Sequence, residues 1–146
     1  MQKALHAIRQ AEHNHDSKSD KDDASLYSIG YGGKKLANLA DHPGNADGAK
    51  GQMPAGANQI QKDTWNVIAD KLGLADFSAH SQDLAAVSLI DNRHQLENVE
   101  SGHFLDKSLP SLSKEWAALP QGPGKGSYYG QPSMPFDVLK VHYDHY

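Results

Sequence analysis

The stretch MQKALHAIRQAEH at residues 1–13 has the spacing of an amphipathic helix. Leu5, Ile8 and Ala11 recur every three residues, which places their side chains on one helix face and predicts a helix over residues 2–12. Glu12 then lies at the C-terminal end of the buried face. Burial and the negative end of the helix dipole both favour a protonated carboxyl there, as a general acid requires. The alternative that periodicity leaves open is a surface residue one turn past the core.

Polar loops and a short extended segment follow this helix. Residues 13–25 are almost wholly polar and predict an exposed loop, whereas residues 27–33 alternate large and small side chains and predict a hairpin strand ending at a Gly-Gly turn. A long ordered loop is predicted for residues 34–58, where the glycines and prolines are Pro43, Gly44, Gly48, Gly51, Pro54 and Gly56.

Helical periodicity returns in the second half of the chain. From Asp63 to Leu72 apolar residues recur at helical spacing, with Asp63 as the predicted N-cap and Gly73 as the stop. Further predicted helices cover residues 78 or 81 to 91, 96–100, 111–119 and a last segment from about 135. Together with the hairpin, these elements predict a mainly helical α+β fold in one domain, with a small β lobe flanking a cleft.

The composition excludes several classes of function. The chain has 146 residues, a net charge of -4 and no Lys/Arg cluster, so a nucleic-acid partner is not expected. No apolar run is long enough to span a bilayer, and the N-terminus has no signal-peptide core, which predicts a soluble protein without membrane contacts. Because cysteine is absent, disulfides and thiolate chemistry are excluded, and carboxylates, histidines or hydroxyls must carry any reaction.

Several aspartates are candidates for a second carboxylate. Asp22 and Asp23 lie in an acidic loop with Asp16 and Asp20, and Asp41 is followed by His42-Pro43, where the proline restricts the backbone. The loop aspartates lack the spacing of an EF-hand and fit a solvated loop as well as a hard-cation site.

Neither a metal nor a cofactor is predicted from the motifs. The nine histidines include the pairs His13/His15 and His142/His145, but neither pair has the HExxH spacing. The Gly-rich segment 122–130 lacks the spacing of a phosphate-binding loop. Its Tyr128 and Tyr129 are suited to stacking on sugar rings, or equally to packing against the last helix.

Several blocks of this chain, spread over residues 5–131, resemble the bacteriophage lambda endolysin family of lysozyme-like lytic transglycosylases. The blocks are Tyr27 with Gly32-Gly33, Asp41-His42-Pro43, Ala55-Gly56, Gln59, Trp65, Leu72-Gly73-Leu74, Asp76-Phe77-Ser78, Ser81-Gln82-Asp83, Trp116-Ala117, Leu119-Pro120 and Tyr129-Gly130-Gln131. The chain departs from the family pattern after Glu12, where His13 replaces a usual glycine, and at Ala57-Asn58.

The resemblance implies a lysozyme-like fold and cleavage of the β-1,4 bond between N-acetylmuramic acid and N-acetylglucosamine in peptidoglycan. Glu12 corresponds by position to the single catalytic glutamate of the family and would act as acid and then base, giving a 1,6-anhydro product. The alternatives are a hydrolase that uses Asp22, Asp23 or Asp41 as second carboxylate, and a catalytically inactive peptidoglycan-binding module. The expected sugar-contacting residues are Tyr31, Gln59, Tyr128, Tyr129 and Gln131.

The same resemblance predicts the biological setting. Only eleven residues precede Glu12, fewer than is usual in the family, which suggests a domain excised from a longer protein. We expect a monomer that is made in the cytoplasm and acts on the periplasmic cell wall after holin release or delivery by a secretion system. A cognate immunity protein is the partner expected of a secreted effector.

Overall fold

The computed structural model of the chain describes residues 1–44 and 53–146, and its regular structure is mainly helical. The elements in chain order are α1 (Gln2–His13), α2 (Asp23–Leu26), β1 (Pro54–Ala55), β2 (Ile60–Gln61), α3 (Lys62–Leu72), α4 (Ala79–Asn92), α5 (Leu96–Glu100), α6 (Leu109–Leu112) and α7 (Phe136–His145). A 3₁₀ turn covers Tyr31–Gly33 and a π-helical turn covers Phe104–Ser108. The predicted α+β class is confirmed. Among the described helices, none combines the length and the apolar character that crossing a membrane requires.

The chain forms two compact units, and the first comprises Met1–Lys21 and Leu89–Tyr146. In this unit α1 packs against α7. Residues 4–11 of α1 are all buried, and Leu5 and Ile8 are no more than 1% exposed. Burial of each such side chain contributes about 1.5–3 kcal/mol, so the apolar stripe of α1 stabilises this unit. The predicted helix over residues 2–12 is confirmed and extends to His13.

The second unit, Asp22–Ser88, contains the two-stranded antiparallel sheet. Ala55 pairs with Ile60 at the turn between the strands. The buried Gln82 amide connects this turn to the backbone at Phe77. Its Oε1 accepts the N–H of Ala57 at 2.9 Å, and its Nε2 donates to the Phe77 carbonyl at 2.8 Å. Gly56 is required there, since its φ is +82° and an added Cβ would lie 2.2 Å from Gln82 Oε1.

His42 belongs to the aromatic core of the second unit. Its ring centroid lies 5.0 Å from that of Phe77, which in turn meets Trp65 edge-on at 4.8 Å. Nε2 donates to the Ile60 carbonyl at 2.7 Å, and Nδ1 accepts the Gly44 N–H at 2.9 Å, so the ring is a neutral Nε2–H tautomer. Burial lowers the pKa of this imidazole, although the Ile60 contact opposes the effect.

The predicted hairpin strand at residues 27–33 is wrong in extent. The chain reverses at the glycines, but pairing is limited to a single bridge between Ile29 and Lys35. Gly32 and Gly33 have φ values of +71° and +83°, which lie outside the extended range of a strand and turn the chain tightly. The sheet lies further along the chain, inside the segment predicted to be a loop, of which residues 45–52, including Gly48 and Gly51, lie outside the described part.

Helix boundaries differ from the predictions at two places. The N-cap of α3 is Gln61, and Asp63 lies in the first turn, where its negative charge interacts favourably with the positive end of the helix dipole. The helix predicted at 111–119 is wrong in extent, since α6 covers Leu109–Leu112 and hydrogen-bonded turns follow it. Pro110 accounts for the early start because its fixed φ suits a first helical turn. The predictions for α4, α5, α7 and the Gly73 stop are confirmed within two residues.

The exposed loop predicted at residues 13–25 is also wrong in part. Its last residues enter α2, and Asp20 contacts the buried rings of His6 and His142. The loop therefore has fixed contacts with α1 and α7 inside the first unit.

Candidate active site

Glu12 lies in the last turn of α1, where the buried face of the helix ends. Part of the residue reaches solvent, whereas its carboxyl is enclosed by protein atoms. Burial raises the pKa of this carboxyl from 4.5 to about 8, and a hydrogen bond from the backbone of Ala118 opposes the rise. The Ala118 carbonyl accepts the Met134 N–H at 2.8 Å, which holds Ala118 in place. With this pKa, Glu12 carries its proton at neutral pH, as a general acid must.

Gln10 fixes the chain that follows Glu12. Its side chain is fully buried, and its amide pairs with the backbone of Lys21 through hydrogen bonds of 2.8 and 2.9 Å. Gln10 Oε1 also accepts a hydrogen bond from the Asn14 amide at 3.0 Å. Sequence reasoning missed both Gln10 and the Ala118 backbone. Gln10 lies off the apolar stripe of Leu5, Ile8 and Ala11, so the helical spacing gave no signal for its burial.

The predicted second carboxylates have local contacts. Asp22 is the N-cap of α2 and accepts the backbone N–H two residues on at 3.2 Å, and Asp23 is the first residue of that helix. Asp41 is exposed and lies 3.5 Å from the Lys62 ammonium. Asp22 thus caps a helix and Asp41 forms an ion pair. A catalytic role for Asp22, Asp23 or Asp41 stays a prediction.

Tyr128 and Tyr129 form an exposed aromatic pair in the first unit. Their ring centroids lie 4.9 Å apart with perpendicular planes, and the side chains are 49% and 54% exposed. The Tyr129 hydroxyl donates to the Lys114 carbonyl at 2.6 Å, and the Lys114 ammonium lies 5.2 Å from the Tyr128 ring. Gln131, two residues on, is exposed as well. The tyrosines are thus oriented by Lys114 and still present ring surface to solvent.

The other two predicted sugar contacts, Tyr31 and Gln59, lie in the second unit. Tyr31 is 57% exposed and lines a small recess with Lys34 and Pro54. Gln59 occupies the turn between β1 and β2 with a φ of +45°, and its amide donates to the Gly56 carbonyl at 3.0 Å. A left-handed backbone at a residue other than glycine is costly and is often kept for function.

The histidines are arranged differently from the pairs singled out in the sequence. Among the described residues, the cluster of metal-ligating groups joins His142 with His6 and Asp20, whose donor atoms all lie within 4.8 Å of one another. Burial raises the pKa of the Asp20 carboxyl, but contacts with the rings of His142 and His6 outweigh it and hold the pKa below its usual value. Residues 6, 20 and 142 are too far apart in sequence for any spacing motif to detect.

Comparison with known proteins decides the family. A sequence model of the endolysin family matches residues 2–146. The chain belongs to this family. The endolysin of Escherichia phage lambda is 31% identical over 116 residues, which are 77% of this chain and 70% of that protein. The endolysin of Escherichia phage P2 is 32% identical over 75 residues, or 51% of this chain and 42% of that protein.

Solved structures confirm the predicted lysozyme-like fold. Bacteriophage lambda lysozyme complexed with a chitohexasaccharide gives a TM-score of 0.78 at 27% identity, covering 98% of this chain and 90% of that one. A second structure of lysozyme from bacteriophage lambda gives 0.72 at 23% identity, with coverages of 99% and 91%. This member of the endolysin family is accordingly a lysozyme-like enzyme that degrades peptidoglycan.

Proposed function

We propose that this endolysin cleaves the β-1,4 bond between N-acetylmuramic acid and N-acetylglucosamine as a lytic transglycosylase, with Glu12 as acid and base. The observation that carries the proposal is the enclosed Glu12 carboxyl at the C-terminus of α1, whose pKa of about 8 keeps it protonated at neutral pH. A glycosidic oxygen is a poor leaving group and must receive a proton as the bond breaks. Glu12 has the protonation state for that step.

The proposed reaction needs one carboxyl group. Glu12 donates its proton to the glycosidic oxygen while the bond from that oxygen to C1 of the muramic acid breaks. The Glu12 carboxylate then takes the proton of the muramic acid 6-hydroxyl, and O6 bonds to C1 to give the 1,6-anhydro sugar. Glu12 ends the cycle protonated, and no water is consumed. The local contacts of Asp22 and Asp41 favour this route over one that requires a second carboxylate.

Mass spectrometry of the muropeptides released from purified peptidoglycan tests the mechanism. Wild-type protein should release anhydro-muramic ends, and Glu12→Gln should release none while it keeps the wild-type circular dichroism spectrum. Glu100→Gln, an exposed glutamate on α5, is the matched control and should keep full activity. Reducing muramic ends would refute the transglycosylase and support a hydrolase, and wall binding without release would support the binding module.

We further propose that Tyr31, Gln59, Tyr128, Tyr129 and Gln131 contact the glycan strand. The exposed tyrosine rings and the left-handed backbone conformation of Gln59 support this. The chitohexasaccharide bound to lambda lysozyme supports it as well. In the Glu12→Gln background, Tyr128→Ala should weaken chitohexasaccharide binding about fivefold or more by calorimetry, since loss of a stacked ring costs on the order of 1 kcal/mol or more. Val67→Ala, an exposed apolar residue of α3, is the control, and equal losses in both variants would contradict a specific role.

For the biological setting, we propose that the enzyme acts as a monomer on the periplasmic wall during phage release. Membership of the endolysin family supports this over an injected effector with an immunity protein. Expression with a periplasmic leader should lyse Gram-negative cells, whereas cytoplasmic expression should do so only with a holin. Lysis from the cytoplasm alone would contradict the proposal, and size-exclusion chromatography measures the oligomeric state.

A further inference from the structure

We propose that His6, Asp20 and His142 bind one Zn²⁺ ion, and that this ion fastens the segment after Glu12 to α1 and α7. His6 lies on α1, His142 lies on α7 and Asp20 lies on the connecting segment 14–21. All three belong to the first unit, and their donor atoms lie within 4.8 Å of one another. The ion would thereby join three parts of the chain that are separated by 14 and 122 residues in sequence.

One donor distance in the cluster is close to that of a tetrahedral metal site, and a second must lengthen as the ion binds. With metal–ligand bonds of about 2.0–2.2 Å, the ligand atoms of a zinc site lie roughly 3.3–3.5 Å apart. His6 Nε2 is 3.1 Å from Asp20 Oδ1. His142 Nδ1 contacts the same carboxylate oxygen at closer range and must separate from it as the ion enters. The loop residue Asp20 provides that movement, because its side chain is 39% exposed whereas both histidines are packed on helices.

The orientation of the His142 ring is the independent observation that points to a metal. The ring is fully buried, and its Nε2 donates to the Ser17 carbonyl at 2.5 Å. This hydrogen bond fixes the ring with Nδ1 facing the Asp20 carboxylate, to which Nδ1 is also hydrogen-bonded. Histidines that ligate metals almost always donate their other N–H to a carbonyl or carboxylate in this way. A Zn²⁺ ion bound at Nδ1 would take the place of the proton that this nitrogen shares with the carboxylate.

The donor set selects the class of ion. Two imidazole nitrogens and one carboxylate oxygen match Zn²⁺, whereas Ca²⁺ and Mg²⁺ prefer oxygen ligands throughout. The partly exposed Asp20 side chain leaves a route from solvent, through which the ion enters and a water molecule completes four ligands. The buried histidines would hold the ion at a fixed place between α1 and α7, so that its binding stabilises the packing of these helices.

The experiment uses the full chain after treatment with a chelator. Calorimetry with ZnCl₂ should show one ion bound per chain, and the Tm should rise by at least about 5 °C at a hundredfold excess of Zn²⁺ over Kd. Asp20→Asn should weaken binding at least tenfold. Asp106→Asn is the matched control, because Asp106 pairs with His103 at 3.0 Å on the surface and should leave the Kd unchanged.

Substitution of the buried histidines risks unfolding, so their part is tested in the wild-type protein. On addition of Zn²⁺, the ¹⁵N signals of His6 Nε2 and His142 Nδ1 should shift in NMR spectra, and those of His103 and His145 should not. The inference is overturned if no ion binds, if Asp20→Asn binds Zn²⁺ as tightly as wild type, or if only surface histidines shift. These readouts involve no lysis, so they fail or succeed independently of the proposed function.

Discussion

Replacement of Glu12 by glutamine should stabilise the protein at alkaline pH while it abolishes lysis. The pKa of Glu12 rises from 4.5 in water to about 8 in the folded chain, because burial disfavours the charged carboxylate. Between these pH values the folded state holds a proton that the unfolded chain has released. The favourable contribution of this group is therefore complete below pH 4.5 and is lost as the pH rises to about 8. Glutamine has no charge to bury and avoids this loss.

The magnitude follows from the rise of the pKa. Each pKa unit corresponds to about 1.4 kcal/mol, so a rise from 4.5 to about 8 sets an upper limit of about 5 kcal/mol. Because Glu12 is partly exposed, water screens the buried charge, and we expect about 2–3 kcal/mol. For a chain of this size that difference raises the Tm of Glu12→Gln by about 5–10 °C at pH 9.

Thermal unfolding followed by circular dichroism at pH 4, 6.5 and 9 measures the effect. The Tm of Glu12→Gln should equal that of wild type at pH 4 and exceed it increasingly at the two higher values. Glu100→Gln should show no such trend, because Glu100 is exposed. A Tm difference that does not change with pH, or a variant less stable than wild type at pH 9, would refute the assignment of a buried, protonated carboxyl.

Three further predictions concern the surrounding structure. Gln10→Ala should lower the free energy of unfolding by about 2–4 kcal/mol in urea titrations, because it removes a fully buried side chain and its two hydrogen bonds to the Lys21 backbone. A loss below about 0.5 kcal/mol would contradict this role. Gly56→Ala should lower the free energy of unfolding by more than about 3 kcal/mol, since its Cβ would lie 2.2 Å from Gln82 Oε1. Gly124→Ala is the control, because a Cβ there meets open space, and it should lower the same free energy by about 1 kcal/mol. Similar losses in the two variants would argue against the close contact at Gly56. The His42 ring should stay neutral as the pH falls through 6.5, and ring ¹⁵N shifts that titrate at that value would show that burial does not hold it neutral.

The longer helices could be predicted from the sequence because their signals are local, whereas the four-residue helices α2 and α6 could not. The spacing of Leu5, Ile8 and Ala11 predicts the apolar face of α1, although the polar residues between them are buried as well. The left-handed Gly73 ends α3 where the pattern stops. The strands could not be placed, since each has only two residues and a two-residue strand has no periodicity to detect. The alternation at residues 27–33 was misleading because Gly32 and Gly33 adopt positive φ values there.

Of the candidate site, the local sequence pattern indicated only Glu12. Glu12 follows directly from the end of the α1 stripe, whereas its partner Ala118 contributes a backbone group that no side-chain motif reveals. Several residues in the sequence blocks that resemble the endolysin family have a structural role. His42, Gly56 and Gln82 are buried and hold the second unit together, so the resemblance identified the fold through residues that stabilise it.

The two hydrogen bonds of the Ala118 peptide have a consequence for how this enzyme can adapt. Its N–H bonds to Glu12, and its carbonyl receives the N–H of Met134, so the environment of the acid depends on a segment more than a hundred residues further along the chain. A substitution that shifts this segment by a fraction of an ångström weakens the Ala118 bond and raises the pKa of Glu12 further. Under the proposed mechanism, remote packing could therefore adjust the pH optimum of wall cleavage without any change at Glu12.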